Sequence, residues 1–217
     1  MENKEILSHI DYTQLKPYAT WRDIQTLCNE AITYGTASVC IPPCFVERVK
    51  DKYDDQLKIC TVIGFPLGYQ STAVKVFETA DAVKYGADEI DMVINIGDAK
   101  AGAFDRITAE IRAVKEACRF SKLKVIIETC YLSEAEKTAL CQCVTMAGAD
   151  YIKTSTGFGT AGAELADIAL FREHIGSEVK IKAAGGIRSK KAMEAFLEAG
   201  CQRIGASSIG ELTSADC

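Results

Sequence analysis

Ala147-Gly148-Ala149-Asp150-Tyr151-Ile152-Lys153-Thr154-Ser155 carries a helix stop, a short β run and a charge inside that run. Gly148 sits where a helix must end with positive φ, and Tyr151–Ser155 reads as a strand. The same join recurs at Tyr34-Gly35-Thr36, Tyr85-Gly86-Ala87 and Ala199-Gly200-Cys201. Outward from these joins the chain alternates. Runs rich in Val and Ile span 36–41, 58–65, 89–95, 124–129, 151–155, 179–184 and 202–206. They have the length and character of strands covered on both faces. Between them, 20–34, 45–53, 71–85, 104–120, 133–147, 163–175 and 190–199 have helical spacing and composition. Ser133-Glu-Ala-Glu136 reads as a capping box.

Alternating β and α elements mean a parallel sheet. Seven units are clear, and an eighth strand is expected around His9–Leu15. Eight units in 217 residues fit an α/β fold of the (β/α)8 TIM-barrel type. An open doubly wound sheet is the rival, but a GxGxxG loop after the first strand is missing. No linker or compositional break appears, so 1–217 is expected to be one domain.

Composition removes several classes of function. Lys and Arg number 25 against 30 Asp and Glu, a net charge of −5, which disfavours a nucleic-acid surface. No apolar stretch approaches the ~18 residues of a membrane span. The start of the chain lacks the ~7–15-residue apolar run of a signal peptide, so a cytoplasmic protein is expected. Two histidines, His9 and His174, leave little material for His-rich metal sites. Ten cysteines occur without a CxxC pair and read as small buried hydrophobes.

Three strands carry charges where a barrel makes them expensive. In 89–95, alternation puts Ile90, Met92 and Ile94 on one face, and Glu89, Asp91 and Asn95 on the other. The apolar face suits the outer helices, so Asp91 points into the barrel. The same parity sends Ile152 outward and Lys153 inward. It sends Ile181 outward, and Lys180 and Lys182 inward. Lys153 and Lys182 lie on consecutive strands, ~4.8 Å apart in a sheet. A lysine is ordinarily protonated at pH 7, but desolvation and a second ammonium both favour the neutral amine. Holding one neutral takes ~4 kcal/mol of differential interaction. A neutral amine attacks an aldehyde to form a Schiff base, whose iminium is an electron sink that makes a neighbouring C–C bond breakable. Asp91 could shuttle the protons. The plain alternative is an ion-paired network without catalysis.

Ala183-Ala184-Gly185-Gly186 closes the penultimate strand and Gly205-Ala206-Ser207-Ser208 the last. Loops at those barrel positions often hold phosphate on backbone N–H groups. Gly157 could add an amide and Arg188 a charge.

At these residues the sequence resembles the deoxyribose-phosphate aldolases of the DeoC family. The blocks are His-Ile-Asp-Tyr-Thr-Gln-Leu (9–15), Ser-Val-Cys (38–40), Gly-Phe-Pro-Leu-Gly (64–68), Glu-Ile-Asp-Met-Val-Ile-Asn (89–95), Lys-Thr-Ser-Thr-Gly-Phe (153–158) and Lys-Ala-Ala-Gly-Gly-Ile-Arg (182–188). The resemblance implies a metal-free, cofactor-free class I aldolase on a (β/α)8 barrel. It implies reversible cleavage of a small phosphorylated sugar, 2-deoxy-D-ribose 5-phosphate, to acetaldehyde and D-glyceraldehyde 3-phosphate. It makes Lys153 the Schiff-base lysine, a choice parity leaves open, with Lys182 its perturbing neighbour and Asp91 the proton-transfer group. Gly157, Gly185, Gly186, Arg188, Ser207 and Ser208 match phosphate-binding positions. Asp11, Thr13 and Cys40 match pocket-wall positions. A homodimer or homotetramer is also implied.

Two departures stand out. Some members carry a C-terminal tyrosine that assists proton transfer, whereas this sequence ends Ser-Ala-Asp-Cys217. Pro42-Pro43 stands where Asn-Pro is common. Another phosphosugar lyase or isomerase, and a non-catalytic phosphometabolite binder, are the competing readings.

Overall fold

The structure, a computed structural model, describes residues 1–213. Its strands are β1 (Ile10–Thr13), β2 (Ser38–Ile41), β3 (Ile59–Ile63), β4 (Glu89–Val93), β5 (Lys122–Ile126), β6 (Tyr151–Lys153), β7 (Lys180–Ala184) and β8 (Arg203–Ala206). They pair in sequence order and close into a barrel. The closing pair aligns Ile10 with Ile204 and Asp11 with Gly205, in parallel. The helices are α1 (Asn3–Leu7), α2 (Trp21–Tyr34), α3 (Val46–Tyr53), α4 (Thr72–Lys84), α5 (Ile96–Lys100), α6 (Phe104–Cys118), α7 (Glu134–Met146), α8 (Leu165–His174), α9 (Lys190–Glu198) and α10 (Gly210–Thr213). This is the expected TIM barrel, with the weak first strand in place.

The apolar core lies between the strands and the helices. Ile90, Met92, Ile94, Ile152 and Ile181 face outward into it, as alternation requires. Helix α6 answers with Ile107, Ile111 and Val114 at helical spacing. Each such side chain, fully buried, contributes about 1.5–3 kcal/mol. The helix stops are as read: Gly35, Gly86, Gly148 and Gly200 have φ of 69°, 100°, 73° and 111°. Helix α7 opens on the Ser133–Glu136 capping box, and α2 opens on a second one, Thr20–Asp23. Hydrogen bonds from Lys100 and then Ser133 hold the Glu136 carboxyl down, at about 2.

Several boundaries differ from expectation. Strand β5 spans Lys122–Ile126 instead of 124–129, because Glu128 takes a left-handed backbone (φ 55°) that turns the chain. Strand β6 stops at Lys153. Asn95 lies beyond β4, and its side chain caps α5 by accepting from Asp98 N–H at 3.3 Å, so it does not point into the barrel. Helices α1, α5 and α10 were not anticipated. Lys180 is exposed, because its inward parity falls at the open N-terminal end of β7. Among the described cysteines, Cys44 is exposed and Cys130 half-buried, and the other seven are buried and free. The reading of a C-terminus without tyrosine falls on 214–217, outside the described residues.

Candidate active site

The inside of this barrel is ionic. Strands β6 and β7 align Lys153 with Lys182. Asp91 reaches both from β4: its Oδ2 accepts from Lys153 Nζ at 2.7 Å and from Lys182 Nζ at 2.6 Å. Its Oδ1 accepts from Lys124 Nζ at 2.9 Å. Lys182 also lies 2.5 Å from Asp11 Oδ2, an ion contact outside hydrogen-bonding geometry. Below, Lys124 sits 2.6 Å from Glu89, and the Arg203 guanidinium grips both oxygens of Glu89 at 2.9 and 3.1 Å. Arg203 also donates to Asp11, which accepts from Ser38 Oγ at 2.7 Å.

The charges fix one another. Burial raises the Asp91 carboxyl, but Lys124, Lys153 and Lys182 outweigh it and hold it well below the carboxylate range. Asp11 is likewise buried, and Lys124, Lys182 and Arg203 pull it down. Burial opposes protonation of Lys182 and Lys124, yet Asp11 and Asp91 lift both above the ordinary lysine value. Lys182, Lys124 and Asp91 are fully buried, while Lys153 is 3% exposed. That small opening matters, because Lys153 lies on the wall of a cavity of about 220 Å³ at the C-terminal mouth of the barrel.

The same cavity is lined by Thr13, Gly157, Gly185, Gly186, Arg188 and Ser207. Gly157, Gly185 and Gly186 have φ of 86°, 89° and 78°, which a side chain would strain. The loop after β6 folds onto the loop after β7, with Ala163 N–H donating to Gly185 O at 3.1 Å. A Cβ on Gly162 would lie 2.1 Å from that oxygen, so only glycine fits. Ser208 is exposed beside Ser207 and accepts from Gly210 N–H at 3.5 Å. Asp11 and Cys40 are placed inside the barrel beneath the cavity, whereas Thr13 stands on its wall with its hydroxyl donated to Asp11 O. Cys40 is pulled down by its hydrogen bond with Cys60, and burial pushes Cys60 well above the ordinary thiol value. His9 Nδ1–H donates to Gln202 O at 3.0 Å, a structural role.

Sequence reasoning missed four members of the site. Lys124 and Arg203 carry the parity signal that marked Lys153, and Lys16 joins the cavity wall. Glu128 accepts from Thr156 N–H at 3.0 Å and from its hydroxyl, so it fastens the loop after Lys153.

The site and fold have close relatives. Residues 6–213 match the DeoC/LacD family of aldolases. Deoxyribose-phosphate aldolase of Clostridium botulinum (strain Alaska E43 / Type E3) is 59% identical over 207 residues, covering 95% of this chain and 94% of that one. Deoxyribose-phosphate aldolase of Clostridioides difficile is 57% identical over 206 residues, covering 95% and 94%. The tetrameric deoxyribose phosphate aldolase of Aeropyrum pernix superposes with a TM-score of 0.88 at 29% identity, over 99% of this chain and 92% of that one. With the match running from α1 to α10 and taking in the charged interior of the barrel, the chain belongs to the DeoC/LacD aldolase family.

Proposed function

We propose that this protein is a class I aldolase that cleaves 2-deoxy-D-ribose 5-phosphate reversibly to acetaldehyde and D-glyceraldehyde 3-phosphate, in the breakdown of deoxyribonucleotides. The observation that carries this reading is one carboxylate oxygen, Asp91 Oδ2, shared by two lysines of which one reaches the cavity.

A charge count supports Lys153 as the nucleophile. The interior holds Lys124, Lys153, Lys182 and Arg203 against Asp11, Glu89 and Asp91: four cations and three carboxylates, a surplus of one. Lys124 and Lys182 each meet two or more carboxylates, and Arg203 meets two. Among the described residues Lys153 meets one. Releasing the proton of Lys153 leaves the interior neutral and every other ion paired.

The open-chain sugar places its phosphate on the loops of Gly185-Gly186 and Ser207-Ser208, with Gly157 and Arg188 beside it. Lys153 Nζ attacks C1 to give a carbinolamine, which loses water to form the iminium. Asp91, acting through water and charged by its neighbours, moves the proton that leaves with the hydroxide. Removal of the C3 hydroxyl proton breaks C2–C3, and its electron pair moves into the iminium to give an enamine. Glyceraldehyde 3-phosphate departs. The enamine takes a proton at C2, and water releases acetaldehyde and restores the amine. A phosphate held far from the breaking bond orients the chain for attack. Lys182 keeps its proton throughout and holds Asp91 in place.

Borohydride reduction with substrate present tests the central step. A stable adduct is expected on Lys153 by mass spectrometry, absent in Lys153→Ala. An adduct elsewhere, or none, overturns the assignment. The relation to a tetrameric relative supports a homodimer or homotetramer, which light scattering after gel filtration checks by mass. No described helix is long and apolar enough to cross a membrane, which supports a cytoplasmic enzyme, checked by cell fractionation.

A further inference from the structure

Inside the barrel, β2 and β3 bring two thiols level. Cys40 and Cys60 are register partners on adjacent strands, and both are fully buried. Their Sγ atoms and one carboxylate oxygen of Asp91 all lie within 4.8 Å of one another. In a tetrahedral zinc site, thiolate bonds of ~2.3 Å put ligand atoms ~3.8 Å apart, so side-chain rotation alone closes the set. Two soft thiolates with one carboxylate select a thiophilic cation over magnesium or calcium.

The position is already one for a cation. Lys124 Nζ lies 3.2 Å from Cys60 Sγ and 2.9 Å from Asp91 Oδ1. A metal ion would displace it, yet Lys124 would not be stranded, because Glu89 holds it at 2.6 Å and Asp11 lies at 3.5 Å. The charge also balances. A divalent ion binds as the two thiols release two protons, so the interior keeps its net charge. Leu15 and Phe65 pack over Cys40, Cys60 and Val62, and Leu15, Val62 and Phe65 also line a chamber of about 480 Å³ beside the cavity mouth.

We propose that Cys40, Cys60 and Asp91 form a binding site for a thiophilic divalent cation, zinc or its probe cadmium, whose occupancy stops turnover reversibly. With Oδ1 on the metal, Asp91 is no longer free to carry protons for Lys153. The inhibition rests on the aldolase reading, whereas the binding does not.

Cadmium titration of the full chain, kept reduced by a phosphine, tests this with two readouts: ultraviolet cadmium–thiolate absorption and acetaldehyde release. The wild type and Cys44→Ser, which removes an exposed thiol, are expected to gain the absorption and lose activity together, with both reversed by a chelator. In Cys60→Ser the absorption disappears. The half-inhibitory concentration rises by more than the roughly 10–100-fold that loss of an outer-shell partner costs. Equal inhibition of Cys60→Ser, or absorption without loss of turnover, overturns the proposal. Should Cys60→Ser fail to fold, Cys40→Ser read by absorption alone decides the binding. A chain that releases no acetaldehyde before metal is added defeats the aldolase reading, while the absorption still reports on the site.

Discussion

Asp91 touches three ammonium groups with two oxygens. It bridges Lys153 and Lys182, and the proposed reaction makes it the proton carrier beside Lys153. Asp91→Asn keeps the shape and removes the charge. Turnover is expected to fall about 10²–10⁴-fold, the usual contribution of a positioned acid–base group. Stability should fall by about 3–5 kcal/mol, because buried cations lose their counter-ion. Steady-state kinetics and urea denaturation measure the two, and unchanged turnover would remove Asp91 from the proton path. Glycine acts at this scale too. Gly162→Ala drives a Cβ against Gly185 O, and the ~1–3 kcal/mol of overpacking should part the loops after β6 and β7, to which the proposed function assigns the phosphate. The expected result is a KM raised roughly tenfold on the phosphorylated sugar with no such change on free 2-deoxyribose; an equal loss on both would place the damage elsewhere.

At the scale of elements, the alternation of strands, helices and stopping glycines was open to reading, and so was the inward direction of Asp91, Lys153 and Lys182. Parity works here because each strand is pinned on its outer face by aliphatic packing, as Ile90, Ile152 and Ile181 show. It fails at strand ends, where the register runs out. Lys180 has inward parity and stands in solvent, and Asn95 has inward parity and caps a helix. Glu128 gave no sign, because a left-handed glutamate is dictated by what it fastens, the Thr156 loop, and not by its own preference. Lys124 and Arg203 did carry the signal of a charge on an inward position. What the sequence could not supply was their partners, since which residues meet across a barrel depends on the stagger of its strands.

For the whole molecule, pH acts through the same ions. Asp11 and Asp91 titrate lower in the fold than the 3.8 of an ordinary aspartate. Such groups add stability above that value and lose it as pH falls through it. Lys124 and Lys182 titrate above 10.5, so their contribution is complete below that value and is lost as pH rises beyond it. These four groups are therefore expected to lower the denaturation midpoint below about pH 4 and again above about pH 10. A midpoint that does not fall in acid would contradict this.

The lumen of this barrel is built like a small salt crystal, with each ion surrounded by the opposite sign. A lattice of that kind does not tolerate one vacancy, but it accepts a matched pair. Glu89→Gln with Arg203→Met should therefore be milder than Arg203→Met alone, with a coupling of roughly 0.5–3 kcal/mol in thermal unfolding. Redesign of the interior would have to proceed by neutral pairs, with the surplus charge resting at Lys153, which among the described residues meets a single carboxylate.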